Sequence, residues 1–141
     1  MRAHAVALRY LWAAPCTLVG GLVAAPLLIG GAHARWVRGV LEVSGGAFTH
    51  SLPFDAITLG HVVLARTPRA MARLRTHERV HVRQCERWGP AFFPAYLLAG
   101  AWQWLRGCDA YWDNPFEVEA RRLALRAGDC EPAAGSSQSS A

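Results

Sequence analysis

His77 and His81 stand four residues apart, with Glu78 directly after the first, in the string Thr76-His77-Glu78-Arg79-Val80-His81. On a helix, residues i and i+4 share one face. Two neutral imidazoles placed there can grip one zinc ion, and the glutamate beside them can take a proton from water brought to the metal. A hydrolytic zinc site needs a third protein ligand and leaves its fourth position to water. The chain offers two carboxylates for that role, Glu117 and Glu119, in Asn114-Pro115-Phe116-Glu117-Val118-Glu119-Ala120. The competing reading of the HExxH string is an amphipathic helix with two surface histidines. The joint occurrence of the string and a downstream carboxylate favours the metal site, with His77 and His81 as ligands and Glu78 as general base.

Spacing alone does not choose between the two glutamates. The apolar stripe of their segment is Phe116, Ala120, Leu123 and Ala127, and Glu117 and Glu119 flank it on opposite sides. Asn114 is a strong N-cap, which puts Glu117 at the position of a capping-box carboxylate and leaves Glu119 free. Conversely, Glu119 can be a solvated residue paired with Arg122.

The elements that must position these groups read as follows. Residues 37–43 form a short strand, 44–46 a turn and 47–50 a return strand. Residues 57–65 read as one strand, apolar on both faces and therefore covered, with His61 pointing the same way as Ile57, Leu59 and Val63. Its edge could take an extended peptide as an added strand. Thr67 and Pro68 open a helix, as N-cap and first helical residue, that runs to about Trp88 and stops at Gly89-Pro90. Residues 88–105 form an apolar stretch, marginal as a membrane span, read as a buried or half-embedded helix. A last helix runs from 114 to about 127, and the Ser-, Ala- and Gly-rich tail, 128–141, reads as disordered.

Residues 10–32 carry no charge. About 20 apolar residues cross a bilayer, so this run is long enough to span one. Its length favours an uncleaved single-pass anchor over a secretory signal peptide ending at Ala32-His33-Ala34, which would instead leave a secreted protein. The domain plan is thus a membrane anchor over 1–36, a catalytic domain over 37–127 and the tail. The class is α+β: a small β-meander, the HExxH helix, an apolar helix and the glutamate helix.

The net charge is +5, and all fifteen basic residues are arginine. Seven of them lie between Arg66 and Arg87, which reads as a solvated helix face or one near anionic lipid. No nucleic-acid motif accompanies the charge, so nucleic acid is excluded as a partner. The cysteines, Cys16, Cys85, Cys108 and Cys130, lack the spacing of a zinc site, and nothing in the sequence argues for a Cys85–Cys108 disulfide.

HExxH followed by a helical glutamate resembles the gluzincin branch of zinc metallopeptidases, which includes thermolysin-like enzymes and membrane-bound proteases with an ExEAD-type second motif. Phe116-Glu117-Val118-Glu119-Ala120 looks like that second motif, and the order of strand, HExxH helix and glutamate helix matches. The two strings together also resemble those of small uncharacterised bacterial membrane-anchored proteins with HExxH peptidase-like domains. The resemblance covers residues 55–127. It implies a minimal zincin-like domain, Zn²⁺ as cofactor, Glu117 rather than Glu119 as third ligand, and hydrolysis of a peptide or protein substrate at a membrane. Departures are the charged Arg75 and Arg79 around the motif, and Arg121 where the family has an aspartate that orients a zinc-bound histidine. Asp109 and Asp113 are the carboxylates left for that task. For the oxyanion of a tetrahedral intermediate the sequence offers Tyr96, Tyr111, His61 and Arg121. If nothing orients the histidine, the implied alternative is a catalytically weak or inactive metal-binding membrane protein that serves as a binding or regulatory module.

Overall fold

A computed structural model of the chain describes residues 2–128. The element order is α1 (Arg2–Ile29), β1 (His33–Val37), β2 (Val40–Ser44), β3 (Ala56–Leu59), β4 (Val62–Ala65), α2 (Pro68–Trp88), α3 (Phe92–Leu105) and α4 (Pro115–Arg126). Most of the tail read as disordered, and Cys130 with it, lies outside the described residues.

The four strands form one sheet in the order β1-β2-β4-β3. β1 and β2 pair antiparallel, as do β3 and β4, while β2 and β4 run parallel. The sheet is therefore not a meander, and the strand limits differ from those expected. The first hairpin turns at Arg38-Gly39, both at positive φ, because a two-residue loop of that handedness matches the twist of its strands. Residues 47–50 do not return as a strand: Thr49–Ser51 is a 3-10 turn, and the buried Thr49 hydroxyl is spent on Arg66 O at 2.9 Å. The single strand expected over 57–65 is a hairpin. Gly60, at φ +66°, turns the chain, and a Cβ there would come within 2.4 Å of Thr17 Oγ1 on α1. His61 consequently sits in the turn rather than in a strand row.

Both faces of the central strand β4 are covered. Val62 and Leu64 join Ala24 and Leu27 of α1 in one core cluster, and Val63 and Ala65 join Met71 and Val82 of α2 in the other. The molecule is thus layered, α1 on one side of the sheet and α2 on the other. The approach of α1 is close: a Cβ on Gly20 would lie 2.6 Å from Leu59 O. α1 is long and apolar enough to cross a membrane. It buries Ala13, Cys16, Ala24 and Leu27 and exposes Leu8, Leu11, Leu18, Leu22 and Ile29.

The helix limits of α2 follow the sequence signals. Thr67 accepts from Ala70 N at 3.0 Å, Pro68 opens the first turn, and Gly89, at φ +56°, closes the helix. Asn114 caps α4 by accepting from Phe116 N at 3.1 Å. Of the two readings of α3, buried or half-embedded, the buried one fails: only Phe92 and Gly100 are buried, and Leu97, Leu98, Trp102, Trp104 and Leu105 are exposed. It is not a buried helix of the domain. Cys16, Cys85 and Cys108 are free thiols, and burial pushes the Cys85 thiol up to about 12.

Candidate metal centre

Helix α2 carries the motif across the sheet, with His77, Glu78 and His81 all buried. Helix α4 packs against α2 and brings Glu117 to the same point. His77 Nε2 and His81 Nε2 are 3.1 Å apart. Glu117 Oε2 lies 3.1 Å from His77 Nε2, and Oε1 lies 3.3 Å from His81 Nε2. These three groups could hold a metal ion. Tetrahedral ligands about 2.0–2.1 Å from a zinc ion stand roughly 3.3 Å from one another, so the separations already suit a shared ion. Glu117 Oε2 is buried and has no well-aligned hydrogen-bond donor among the described residues, so it faces the imidazoles as an oxygen suited to a shared cation. The set of two nitrogens and one oxygen suits zinc and other borderline divalent metals.

Of the two glutamates, Glu117 is the one that lies with the histidines. Glu117 does not close a capping box; it faces the histidines, and Tyr96 donates to its Oε1 at 2.7 Å. Burial raises the Glu117 carboxyl, but the two imidazoles beside it outweigh this and hold it well below the usual carboxylate range. Glu119 is not paired with Arg122. Its Oε2 accepts from Gln84 Nε2 at 2.7 Å, and its Oε1 lies 3.7 Å from Arg87.

Gln84 is the residue that sequence reading missed. It is almost fully buried. Its Nε2 donates to Phe116 O at 3.1 Å as well as to Glu119, so its carbonyl oxygen must face His81 Nδ1, 2.8 Å away. Carbonyl oxygens only accept. His81 Nδ1 therefore carries a hydrogen, and the lone pair of neutral His81 sits on Nε2, toward the candidate metal position. This orienting role was expected of Asp109 or Asp113, but both are committed within their own loop: Asp109 caps Tyr111 N and Trp112 N, and Asp113 accepts from Asp109 N. Burial pushes the His81 pKa down, and Glu117 and Glu78 more than offset it, leaving the pKa raised.

Glu78 is held from β3. Thr58, buried on that strand, donates to Glu78 Oε2 at 2.7 Å. Burial dominates the Glu78 carboxyl and raises its pKa despite His81, Thr58 and His77. A cavity of about 350 Å³ opens beside these groups. Ile57, Phe92, Phe93, Tyr96 and Tyr111 line it together with His77, Glu78, His81 and Glu117. β3 is an edge strand of the sheet and contributes Ala56, Ile57 and Thr58 to the wall.

Of the four oxyanion candidates, only Tyr96 and Tyr111 line this cavity. Burial and Glu117 push the Tyr111 hydroxyl up to about 12. His61 stacks on Tyr10 at 4.0 Å and faces Glu86 at 3.1 Å. Arg121 lies over the Trp112 ring at 4.6 Å and donates to Trp112 O. The charges that departed from the family pattern also stay out of the cavity. Arg79 donates to Val37 O at 2.6 Å, and Arg75 makes a two-pronged pair with Glu42 at 2.8 Å.

No family model, no curated protein and no solved structure matches the chain.

Proposed function

We propose that the chain is a membrane-anchored, zinc-dependent peptidase with a minimal gluzincin-like site. The observation that carries this reading is the convergence of His77, His81 and Glu117 beside a buried Glu78, at the wall of an apolar cavity bounded by an edge strand. His77, His81 and Glu117 would hold the ion. Bound zinc supplies Lewis acidity and lowers the pKa of water toward 7.

The remaining steps belong to the protein's own groups. Thr58 occupies Glu78 Oε2, so Oε1 is left to take the proton of an attacking water. The raised proton affinity of Glu78 suits it to hold that proton and pass it to the leaving amine. β3 would pair with an extended substrate through its free edge, and the aromatic cavity would take an apolar side chain. Tyr111 would donate to the oxyanion, because the one hydrogen of Tyr96 is already given to Glu117. The length and apolar exposed face of α1 support a membrane location.

The test is hydrolysis of a library of internally quenched peptides by the zinc-loaded protein and by Glu78→Gln. Turnover by wild type, lost in the variant while zinc is retained, supports the peptidase. Zinc binding without turnover on any peptide gives the other reading, a metal-binding module.

A further inference from the structure

On the face of α2 opposite the histidines lies a second cleft, of about 230 Å³, that the proposed peptidase does not use. Four arginines line it, Arg9, Arg38, Arg79 and Arg83, against one carboxylate, Glu86. That carboxylate is already engaged by His61 at 3.1 Å and by Arg9 at 3.9 Å. Arg79 is tied to Val37 O and lies 3.7 Å from Glu42. Arg38 and Arg83 are exposed, and neither has a hydrogen bond or ion pair among the described residues. Like charges gathered on one concave surface repel each other at a cost to the fold, and an anion bound between them removes that cost.

Tyr10 ties the wall of the cleft together. The Tyr10 ring stacks on the buried His61 with an interplanar angle of 9°, and its hydroxyl donates to Gly39 O at 2.7 Å. Arg38 occupies a left-handed position, φ +49°, in the β1–β2 turn. Such a position normally goes to glycine or asparagine, so Arg38 stands there at a backbone cost. Guanidinium groups match phosphate oxygens in geometry and charge. Beside the cleft, α1 exposes Leu8, Leu11 and Trp12, the sequence neighbours of Arg9 and Tyr10. Four arginines next to an exposed apolar surface suit a phosphate that carries acyl chains.

We propose that this cleft binds a phosphate ester, and that its source is the headgroup of an anionic phospholipid rather than free phosphate. The site is independent of the metal centre and stands or falls separately from the peptidase reading.

The test uses the full chain purified in neutral detergent. Thermal unfolding is followed with added phosphatidylglycerol, phosphatidylcholine or inorganic phosphate. Wild type is compared with the Arg38→Gln/Arg83→Gln double variant, whose lost groups hold no partner among the described residues. Phosphatidylglycerol should raise the wild-type midpoint and phosphatidylcholine should not, and half-saturation in the double variant should need at least about tenfold more lipid, the loss expected when charge-assisted hydrogen bonds are removed. Arg122→Gln/Arg126→Gln, exposed arginines on α4, should respond as wild type does. An equal shift with inorganic phosphate, lost in the double variant, supports the anion site and assigns it to a soluble ligand. No shift with either anion, or an equal shift in wild type and the double variant, overturns the proposal.

Discussion

Replacing Gln84 by leucine keeps the buried volume and removes one acceptor and two donated hydrogen bonds. His81 Nδ1 loses its partner at 2.8 Å, and Phe116 O and Glu119 lose theirs at 3.1 and 2.7 Å. Without that acceptor His81 is free to turn its ring or exchange its tautomer, so part of the population presents the wrong nitrogen. Loss of such an orienting partner costs about 10- to 100-fold in metal affinity, which is ~1.4–2.8 kcal/mol. The unmet buried groups lower the stability of the metal-free protein by about 1–3 kcal/mol in addition. Zinc affinity is read by competition with a chromophoric chelator, and stability by thermal melting in excess chelator. Gln84→Glu separates the two effects: it keeps an acceptor for His81 Nδ1 and should bind zinc more tightly than Gln84→Leu, although it loses the same donors. Gln84→Leu protein that is folded and binds zinc within about twofold of wild type would refute the orienting role assigned from these distances.

Two further outcomes follow from burial. Glu78 titrates higher in the folded chain than in the unfolded one, chiefly because burial disfavours its charge. Its contribution to stability is therefore intact below the ordinary carboxylate range and is lost as pH rises through the folded value. Metal-free Glu78→Gln should melt above wild type near pH 7.5, roughly three units above the ordinary carboxyl value, with the difference closing on acidification toward pH 4. A difference independent of pH would show that ionisation is not its cause. Gly20→Ala forces a Cβ to within 2.6 Å of Leu59 O, and overpacking of this kind costs about 1–3 kcal/mol. An unchanged melting midpoint would mean that α1 does not sit on the sheet in the folded protein.

The histidine pair of the candidate metal centre was legible because its signal is local chemistry at fixed spacing. HExxH places two imidazoles on one face of any helix, and Thr67-Pro68 and Gly89-Pro90 mark where that helix begins and ends. Glu117 could be preferred over Glu119 only through a resemblance, because both flank the same stripe; in the fold Glu117 faces the histidines, whereas Glu119 meets Gln84 and Arg87. Gln84 was invisible as a partner of His81, since glutamine three residues on is common on helices and its second and third bonds reach across to α4. The strand limits were misread where polarity pattern and turn geometry compete. Residues 57–65 are largely apolar and both faces of β4 are covered, so alternation could not reveal the turn at Gly60. α3 was read as buried or half-embedded on composition, and composition cannot separate a helix buried in protein from one that presents its apolar side chains outward.

The most direct test of the central claim is the zinc content of the purified full chain, by elemental analysis, beside His81→Ala, Glu117→Ala and Glu119→Ala. The ligand set drawn from His77, His81 and Glu117 predicts about one zinc per wild-type chain, as expected for a single three-ligand site. It also predicts loss of that zinc in His81→Ala and Glu117→Ala, and its retention in Glu119→Ala. No zinc in wild type after reconstitution, or zinc retained without Glu117, would contradict it.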